Sequence, residues 1–181
     1  MGLRRAGAVL AIAAAMSAQT PGQTATPDTS HAAQEMMHDR PMPAAGPLKI
    51  AFGDKSAEWT AATLAALPHK TLNVYNEHAK ANQTYSGVPL IDLLTKLGVP
   101  EKPRGKDFRL YLVAEGSDGY QVVYSIGEVA PDVHDGDVIV ADSLDGKPLP
   151  GNGPLQLVAT GEKRPARWVR NLDAIRVLTA Q

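Results

Sequence analysis

Apolar residues from Leu48 onward follow two alternating patterns. Where they fall at every second position the pattern predicts half-buried strands, and where they recur three or four residues apart it predicts short amphipathic helices. The predicted strands cover residues 48–52, 71–75, 108–114, 120–124, 137–141, 155–159 and 172–178. The predicted helices cover residues 59–67, 90–97 and 125–129. Strands interleaved with a few short helices favour an α+β domain with a mixed β-sheet.

Polar segments rich in turn-forming residues separate these elements. Residues 117–119 read Ser-Asp-Gly between two strands, which predicts a β-hairpin. Residues 76–83 predict a polar loop, and residues 144–150 predict a turn-rich loop without regular structure. Residues 161–171 lie between the last two strands, so we expect that segment to be held rigidly.

The N-terminal region has a different composition. Arg4 and Arg5 precede an alanine-rich apolar stretch that ends in small residues near Ala18. This pattern predicts a signal peptide over residues 1–18, too short to span a bilayer. Because Arg4 and Arg5 lack a full twin-arginine consensus, we expect export by the general secretory pathway to the periplasm. We expect no membrane insertion after cleavage.

The segment that follows, residues 19–47, is rich in Pro, Thr, Ala and Met and has no apolar periodicity. Such a composition cannot bury enough surface to fold alone, so it predicts a disordered linker, and the folded domain is predicted over residues 48–181. The linker contains side chains that suit copper. They are His31, Met36, Met37, His38 and Met42. Their spacing matches no fixed geometry, so a solvated tail is favoured over a copper site.

Charge and cysteine content restrict the chemistry. The formal net charge of the chain is -1, which provides no overall field for binding nucleic acid. The chain has no cysteine, so disulfides, thiolate nucleophiles and thiolate metal ligands are all excluded.

Residues 161–171 concentrate the candidate binding chemistry. The segment contains Lys163, Arg164, Arg167, Trp168 and Arg170. Planar guanidinium groups beside an aromatic ring suit a flat ligand that is polar or anionic. The alternative is a solvated basic loop whose tryptophan packs into the core.

Four motifs occur in one order along the domain. They are Tyr-Ser-Gly-Val-Pro-Leu-Ile-Asp-Leu-Leu at 85–94, Ser-Asp-Gly-Tyr at 117–120, Asp-Gly-Lys-Pro-Leu-Pro with Gly-Pro-Leu-Gln-Leu-Val between 145 and 158, and Ala-Arg-Trp-Val at 166–169. Together they resemble the molybdopterin-binding domain of sulfite oxidase-like oxidoreductases. The resemblance covers nearly all of residues 48–178 and implies the fold of that domain.

The resemblance also implies a function. In the enzymes a cysteine upstream of the first motif ligates molybdenum, whereas residues 76–84 of this chain contain none. Sulfite oxidase-type catalysis is therefore not expected. The chain is similar to short exported members that bind a free pterin and relay its presence to the periplasmic domain of a membrane enzyme controlling cyclic-di-GMP. The alternative is a molybdopterin-dependent oxidoreductase that lacks the cysteine ligand.

The resemblance suggests which side chains meet the ligand. Arg167 aligns with the basic residue that contacts the cofactor in the enzymes and is the first choice, although it could instead pair with Glu162 or Asp173. Lys163, Arg164 and Arg170 are weaker candidates. Trp168 is kept among the ligand-binding candidates, although packing in the core is favoured over stacking on the ligand. No catalytic residue and no metal ligand is assigned.

Further candidates complete the predicted pocket. Tyr120 and Tyr85 would supply an aromatic wall. Asp142, at the end of a predicted strand, would accept hydrogen bonds from the ligand, with Glu115 and Asp118 as alternatives. Asn76 and His78 occupy the region of the missing cysteine and would line the metal end of the pocket.

Overall fold

The computed structural model describes residues 45–77, 79–151 and 153–181, which contain two five-stranded β-sheets. The strands are β1 Leu48–Phe52, β2 Lys55–Trp59, β3 Lys70–Asn76, β4 Ala81–Pro89, β5 Leu110–Gly116, β6 Gln121–Ser125, β7 Val138–Leu144, β8 Lys147–Pro148, β9 Gln156–Ala159 and β10 Leu172–Thr179. The helices are α1 Ala61–Ala65, α2 Leu90–Thr95 and α3 Ile126–Val129, with 3₁₀ turns at Gly105–Arg109 and Pro165–Arg167. The predicted α+β class is confirmed.

The first sheet has the strand order β2-β1-β10-β5-β6. Strands β1 and β10 are parallel, with Ile50 opposite Ile175, and the other neighbours are antiparallel. This sheet is therefore mixed, as predicted. The second sheet has the order β3-β4-β7-β8, with β9 also paired to β7, and all of its pairs are antiparallel.

One hydrophobic cluster contains residues of both sheets and of α2. Alternation along β5 buries every second residue, as expected for a strand with one face on the core. Helix α2 buries Leu90, Ile91, Leu93 and Leu94, which agrees with the predicted helical spacing. The core therefore joins the two sheets and leaves the strand ends and loops to form binding surfaces.

Strands β4 and β7 approach each other closely at Gly87. A Cβ atom there would lie 2.2 Å from the carbonyl oxygen of Val140, so no side chain fits. The register shifts between Ser86 and Gly87, which is a β-bulge. The glycine of the Tyr-Ser-Gly-Val-Pro motif thus allows the second sheet to close beside the groove described below.

Several segments differ from the prediction. The helix predicted over residues 59–67 is shorter, because Thr60 caps α1 and Trp59 ends strand β2, which the sequence pattern did not predict. The segment 144–150, expected to lack regular structure, contains the β7–β8 hairpin. Asp145 and Gly146 both have positive φ, at 51° and 73°, which matches a two-residue Asp-Gly hairpin turn.

The polar loop predicted over residues 76–83 is also shorter than expected. Strand β3 continues to Asn76 and β4 begins at Ala81, directly opposite it. The turn between them includes Lys80 with a φ of 53°. Amide side chains at the ends of both strands are therefore placed on a hairpin rather than on a loose loop.

The predicted signal peptide and all five proposed copper-ligating residues lie outside the described residues, as does most of the predicted linker. Within the described part, none of the helices has the length and apolar character needed to span a bilayer.

Candidate functional site

Residues 161–171 are held between β9 and β10, as predicted. Leu157 and Val169 exchange backbone hydrogen bonds of 2.9 and 3.1 Å, which ties the segment to β9. Asn171 then has a φ of 50°, a left-handed conformation that asparagine tolerates better than most residues. It turns the chain into β10, which begins one residue later.

Two glycines fix the backbone at Arg170 and Asn171. A Cβ at Gly116 would lie 2.8 Å from the carbonyl oxygen of Arg170, and one at Gly153 would lie 2.6 Å from the Cα of Asn171. Ser117 also donates a backbone hydrogen bond of 3.0 Å to the carbonyl of Asn171. The point from which the Arg170 side chain leaves the backbone is therefore well defined.

Beside this segment lies a groove made of two adjoining cavities of about 410 and 210 Å³. Both cavities are lined by Asn76, Tyr85, Gln156 and Arg170. We call the two together the Arg170 groove. The larger cavity is completed by Gln83, Leu144, Leu149, Pro150, Gly151, Gly153, Leu155 and Asn171. The smaller one is completed by Asp118, Tyr120, Pro165, Ala166 and Trp168.

The hairpin of β3 and β4 supplies a polar wall to this groove. Asn76 Nδ2 donates to Gln83 Oε1 at 2.6 Å, and the Tyr85 hydroxyl donates to the same oxygen at 3.2 Å. Asn76 Oδ1 accepts from the backbone N–H of Ala79 at 3.2 Å, which fixes the orientation of its amide. The wall is therefore a fixed set of amide and phenol groups, each able to both donate and accept.

Tyr85 and Trp168 form the aromatic part of the groove. Their ring centroids are 5.4 Å apart with an interplanar angle of 79°, an edge-to-face pair. Trp168 Nε1 donates to the carbonyl of Ala159 at 2.8 Å, and only 9% of the residue is exposed. Trp168 thus belongs to the hydrophobic core, as expected, and presents one side to the smaller cavity.

Arg170 is the cation of the groove. It is exposed, and within the described residues its guanidinium makes no ion pair. Burial raises the pKa of the Tyr85 phenol, and the positive charge of Arg170 opposes that rise. Asp118, in the smaller cavity, is the other charged lining residue. The larger cavity therefore offers one positive charge among amides.

Arg167 lies elsewhere. Its guanidinium donates to Glu162, to Glu128 at 2.7 Å, and lies 4.6 Å from the ring centre of Tyr124. The hydrogen bond to Glu162 and that to Glu128 raise the pKa of Arg167. Arg167 is not among the residues that line the groove. Two carboxylates thus neutralise Arg167 outside the groove, and of the predicted cations only Arg170 lines the groove.

The two carboxylates belong to this ion pair rather than to a ligand site. Burial opposes ionisation of Glu128, but hydrogen bonds from Ser125 and Arg167 lower its pKa. Glu162 accepts from both Nε and Nη2 of Arg167. The pairing of Arg167 with Glu162, the alternative considered from the sequence, is thus present.

The other residues predicted to bind the ligand do not all lie in the Arg170 groove. Tyr120 lines the smaller cavity, and its hydroxyl donates to the carbonyl of Ala166. Asn76 lines both cavities. Lys163 and Arg164 line a separate cleft, and His78 lies outside the described residues.

Asp142, the first choice for a carboxylate, is not among the residues that line the groove. It accepts a hydrogen bond of 2.8 Å from His69 Nε2. Its place is different from the expected one because β7 continues through Asp142 to Leu144. Of the two alternatives, Asp118 lines the smaller cavity, whereas Glu115 pairs with Arg176.

The His69–Asp142 pair predicts a pH-dependent contribution to stability. The hydrogen bond to Asp142, with that from Nδ1 to the Leu67 carbonyl, raises the pKa of His69 above its ordinary value of 6.5 although burial opposes it. The stabilisation is therefore full below the unfolded-state pKa and is lost as pH rises through the folded-state pKa.

We expect His69→Ala to lower the free energy of unfolding more at about pH 5.5 than at about pH 8.5 in urea titrations. In an Asp142→Asn background the difference between the two pH values should shrink; an unchanged difference would contradict this cause.

Three polar residues of the groove were not predicted from the sequence, and Arg170 was predicted only as a weaker candidate. The missed residues are Gln83, Gln156 and Asn171. A signal for Arg170 was present, because side chains two residues apart in an extended segment lie on the same side. Trp168 and Arg170 share that relation and both line the smaller cavity, whereas Arg167 ends the preceding 3₁₀ turn. No comparable pattern marks the amide residues, which come from three separate strands or turns.

Two sheets thus share one core, and a polar and aromatic groove lies beside the segment that joins β9 to β10. The chain belongs to the oxidoreductase molybdopterin-binding domain family, whose model matches residues 51–181. The resemblance stated from the four motifs is thereby confirmed. A search of curated proteins found no match.

The groove suits the pterin ring of a molybdopterin, but the chain does not offer a thiolate ligand for the metal. Amides, a phenol and a guanidinium suit the hydrogen-bonding edge of a pterin ring. The β3–β4 hairpin, where the resemblance places the cysteine ligand, offers the amides of Asn76 and Gln83, and the whole sequence has no thiolate. Among the described residues no cluster of His, Asp and Glu could hold a metal in its place. The organic part fits this chain, and the thiolate-bound metal does not.

Proposed function

We propose that this protein binds a free pterin in the Arg170 groove and acts as a binding protein rather than as a molybdenum oxidoreductase. One observation carries the proposal. This chain of the molybdopterin-binding domain family has a groove lined by Arg170, which makes no ion pair within the described residues, while its sequence lacks the thiolate that would hold the metal.

The chemistry of the groove suits a pterin. The ring's amino-pyrimidinone edge donates through N–H groups and accepts through its oxygen, and the amides of Asn76, Gln83 and Gln156 can serve both needs. Arg170 can donate a charge-assisted hydrogen bond to the ring oxygen or to a polar substituent. Tyr85 and Trp168 supply aromatic surface beside these groups.

Binding of tetrahydroneopterin or neopterin tests the proposal. Because Trp168 lines the smaller cavity, a bound pterin should quench its fluorescence, and a Trp59→Phe variant leaves Trp168 as the only tryptophan. We expect saturable quenching in that variant and a matching heat signal for the wild-type protein by calorimetry, with a dissociation constant of about 10 μM or below. Absence of both signals at about 1 mM ligand would contradict the proposal.

We further propose that the protein is exported to the periplasm and relays pterin binding to a membrane enzyme that controls cyclic-di-GMP. The Arg4-Arg5 and alanine-rich N-terminal pattern supports export, and the resemblance to short exported pterin sensors supports the relay. We expect the mature protein, isolated from its native host, to begin close to Gln19 and to fractionate with periplasmic contents. Cytosolic protein that retains Met1 would contradict the export proposal.

A further inference from the structure

The turn between β5 and β6 holds a carboxylate beside the Arg170 groove. The backbone N–H of Gly116 donates to the carbonyl of Tyr120 at 2.9 Å, and Asp118 Oδ1 accepts from the backbone N–H of Tyr120 at 2.9 Å. This is an Asx turn, which fixes the orientation of the aspartate side chain. Within the described residues, Asp118 Oδ2 accepts no hydrogen bond and joins no ion pair. One carboxylate oxygen is therefore available to a ligand.

Asp118 and the backbone of Arg170 come together at Gly116. A Cβ atom on Gly116 would lie 2.8 Å from Asp118 Oδ1 and 2.8 Å from the carbonyl oxygen of Arg170, so only glycine allows this approach. Asp118 and Arg170 are the two charged residues that line the smaller cavity, whereas Arg170 alone is charged in the lining of the larger one. The carboxylate therefore distinguishes the smaller cavity from the larger.

We propose that Asp118 recognises the 2-amino-4-oxopyrimidine edge of the ligand, so that the pterin ring lies in the smaller cavity and its substituent extends into the larger one. The 2-amino group and N3 present adjacent N–H donors, which suit a group that only accepts. The ring oxygen at position 4 suits the guanidinium of Arg170. This inference rests on the proposed function and adds to it a residue that decides between ligands.

The volumes and linings of the two cavities fit this orientation. The smaller cavity, at about 210 Å³, lies below the roughly 300 Å³ at which pockets for whole small ligands begin, so it suits a ring system alone. Tyr85 and Trp168 give it aromatic surface. The larger cavity, at about 410 Å³, has the amides of Asn76, Gln83 and Gln156, which suit a hydroxylated chain. The ligand class is therefore a 2-amino-4-oxopteridine with a polar substituent.

Exchange of the 2-amino group for oxygen tests the role of Asp118. The ligands are neopterin and the lumazine that carries the same substituent but has an oxygen at position 2. In calorimetric titrations the wild-type protein should bind neopterin about tenfold or more tighter, because a carboxylate and that oxygen both only accept hydrogen bonds.

Asp118→Asn should remove most of this preference. The amide has the shape of the carboxylate and its Oδ1 can still accept from Tyr120, so the turn should be kept, while its NH₂ group can donate to the lumazine oxygen. We expect the preference for neopterin to fall to about threefold or less. Asp132→Asn is the control, since Asp132 is exposed and absent from the groove lining, and it should keep the wild-type preference.

A comparison with unsubstituted pterin tests the place of the substituent. Neopterin should bind the wild-type protein about tenfold or more tighter than pterin, because its side chain adds contacts in the larger cavity. Gln83 lines only the larger cavity, so Gln83→Ala should reduce that advantage to about threefold or less. Equal affinities of the two pterins, or an advantage that Gln83→Ala leaves unchanged, would overturn this part of the inference.

A guanosine titration separates failure of this inference from failure of the proposed function, since guanine carries the same amino-oxo edge without being a pterin. Guanosine that binds and is weakened by Asp118→Asn, while no pterin binds, would support the edge recognition and contradict the proposed function. Neopterin that binds and keeps its preference over the lumazine in Asp118→Asn would overturn the role of Asp118 alone. Absence of binding by both heterocycles would overturn both.

Discussion

Replacing Arg170 with alanine is expected to weaken tetrahydroneopterin binding by about ten- to a hundredfold, a loss of about 1.5–3 kcal/mol. The change removes the one cation that both cavities of the groove share. Because Arg170 makes no ion pair within the described residues, its removal leaves no carboxylate unpaired there, and the melting temperature should change little. Calorimetric titration beside a thermal melt measures both effects.

Arg167 is the matched control for this experiment, since it is the same residue type three positions earlier. Arg167→Ala should lower stability, because Glu128 and Glu162 lose their partner, yet the folded variant should bind the pterin as the wild-type protein does. Arg170→Lys should recover only part of the affinity, because an ammonium group cannot reproduce a planar fork. Weak binding by folded Arg167→Ala together with normal binding by Arg170→Ala would contradict the assignment.

Trp168→Ala is expected to lower the free energy of unfolding by about 3–5 kcal/mol. The indole is nearly buried, packs edge-on against Tyr85 and donates to the Ala159 carbonyl. Its loss leaves a cavity and a buried carbonyl without that donor. Urea denaturation followed by circular dichroism gives the value.

Trp59 provides the comparison for Trp168. It is 8% exposed at the end of β2, in the first sheet, and is absent from the groove lining. Trp59→Phe and Trp168→Phe should both remain folded, but only Trp168→Phe should bind tetrahydroneopterin more weakly. A loss below about 1 kcal/mol for Trp168→Ala would mean that the indole is not part of the core.

The sequence predicted the fold better than it predicted the edges of its elements. Strong alternation and helical spacing located β5, β10 and α2, because burial of one face dictates those patterns. Strand β2, with the sequence Lys-Ser-Ala-Glu-Trp, has one buried residue and is held by pairing with β1, so its pattern is too weak to detect. The Asp145-Gly146 hairpin was detectable from its turn residues, but the prolines after it favoured an irregular loop.

The positions of charged residues in the sequence do not show which arginine lines the groove. Arg167 and Arg170 are the same residue type in the same basic segment. They differ in their partners, because the fold brings Glu128, 39 residues away in sequence, to Arg167. Sequence spacing carries no information on such a pairing. The alternation from Trp168 to Arg170 did carry information, since both face the same side of an extended segment.

Analysis of what the protein carries tests the central claim most directly. The protein would be produced in a host that makes molybdenum cofactor, then denatured, and its released pterin would be quantified by fluorescence alongside its molybdenum by mass spectrometry. Our account predicts pterin without stoichiometric molybdenum. Equimolar pterin and molybdenum, with turnover of sulfite, would contradict it and would favour a molybdopterin-dependent oxidoreductase instead.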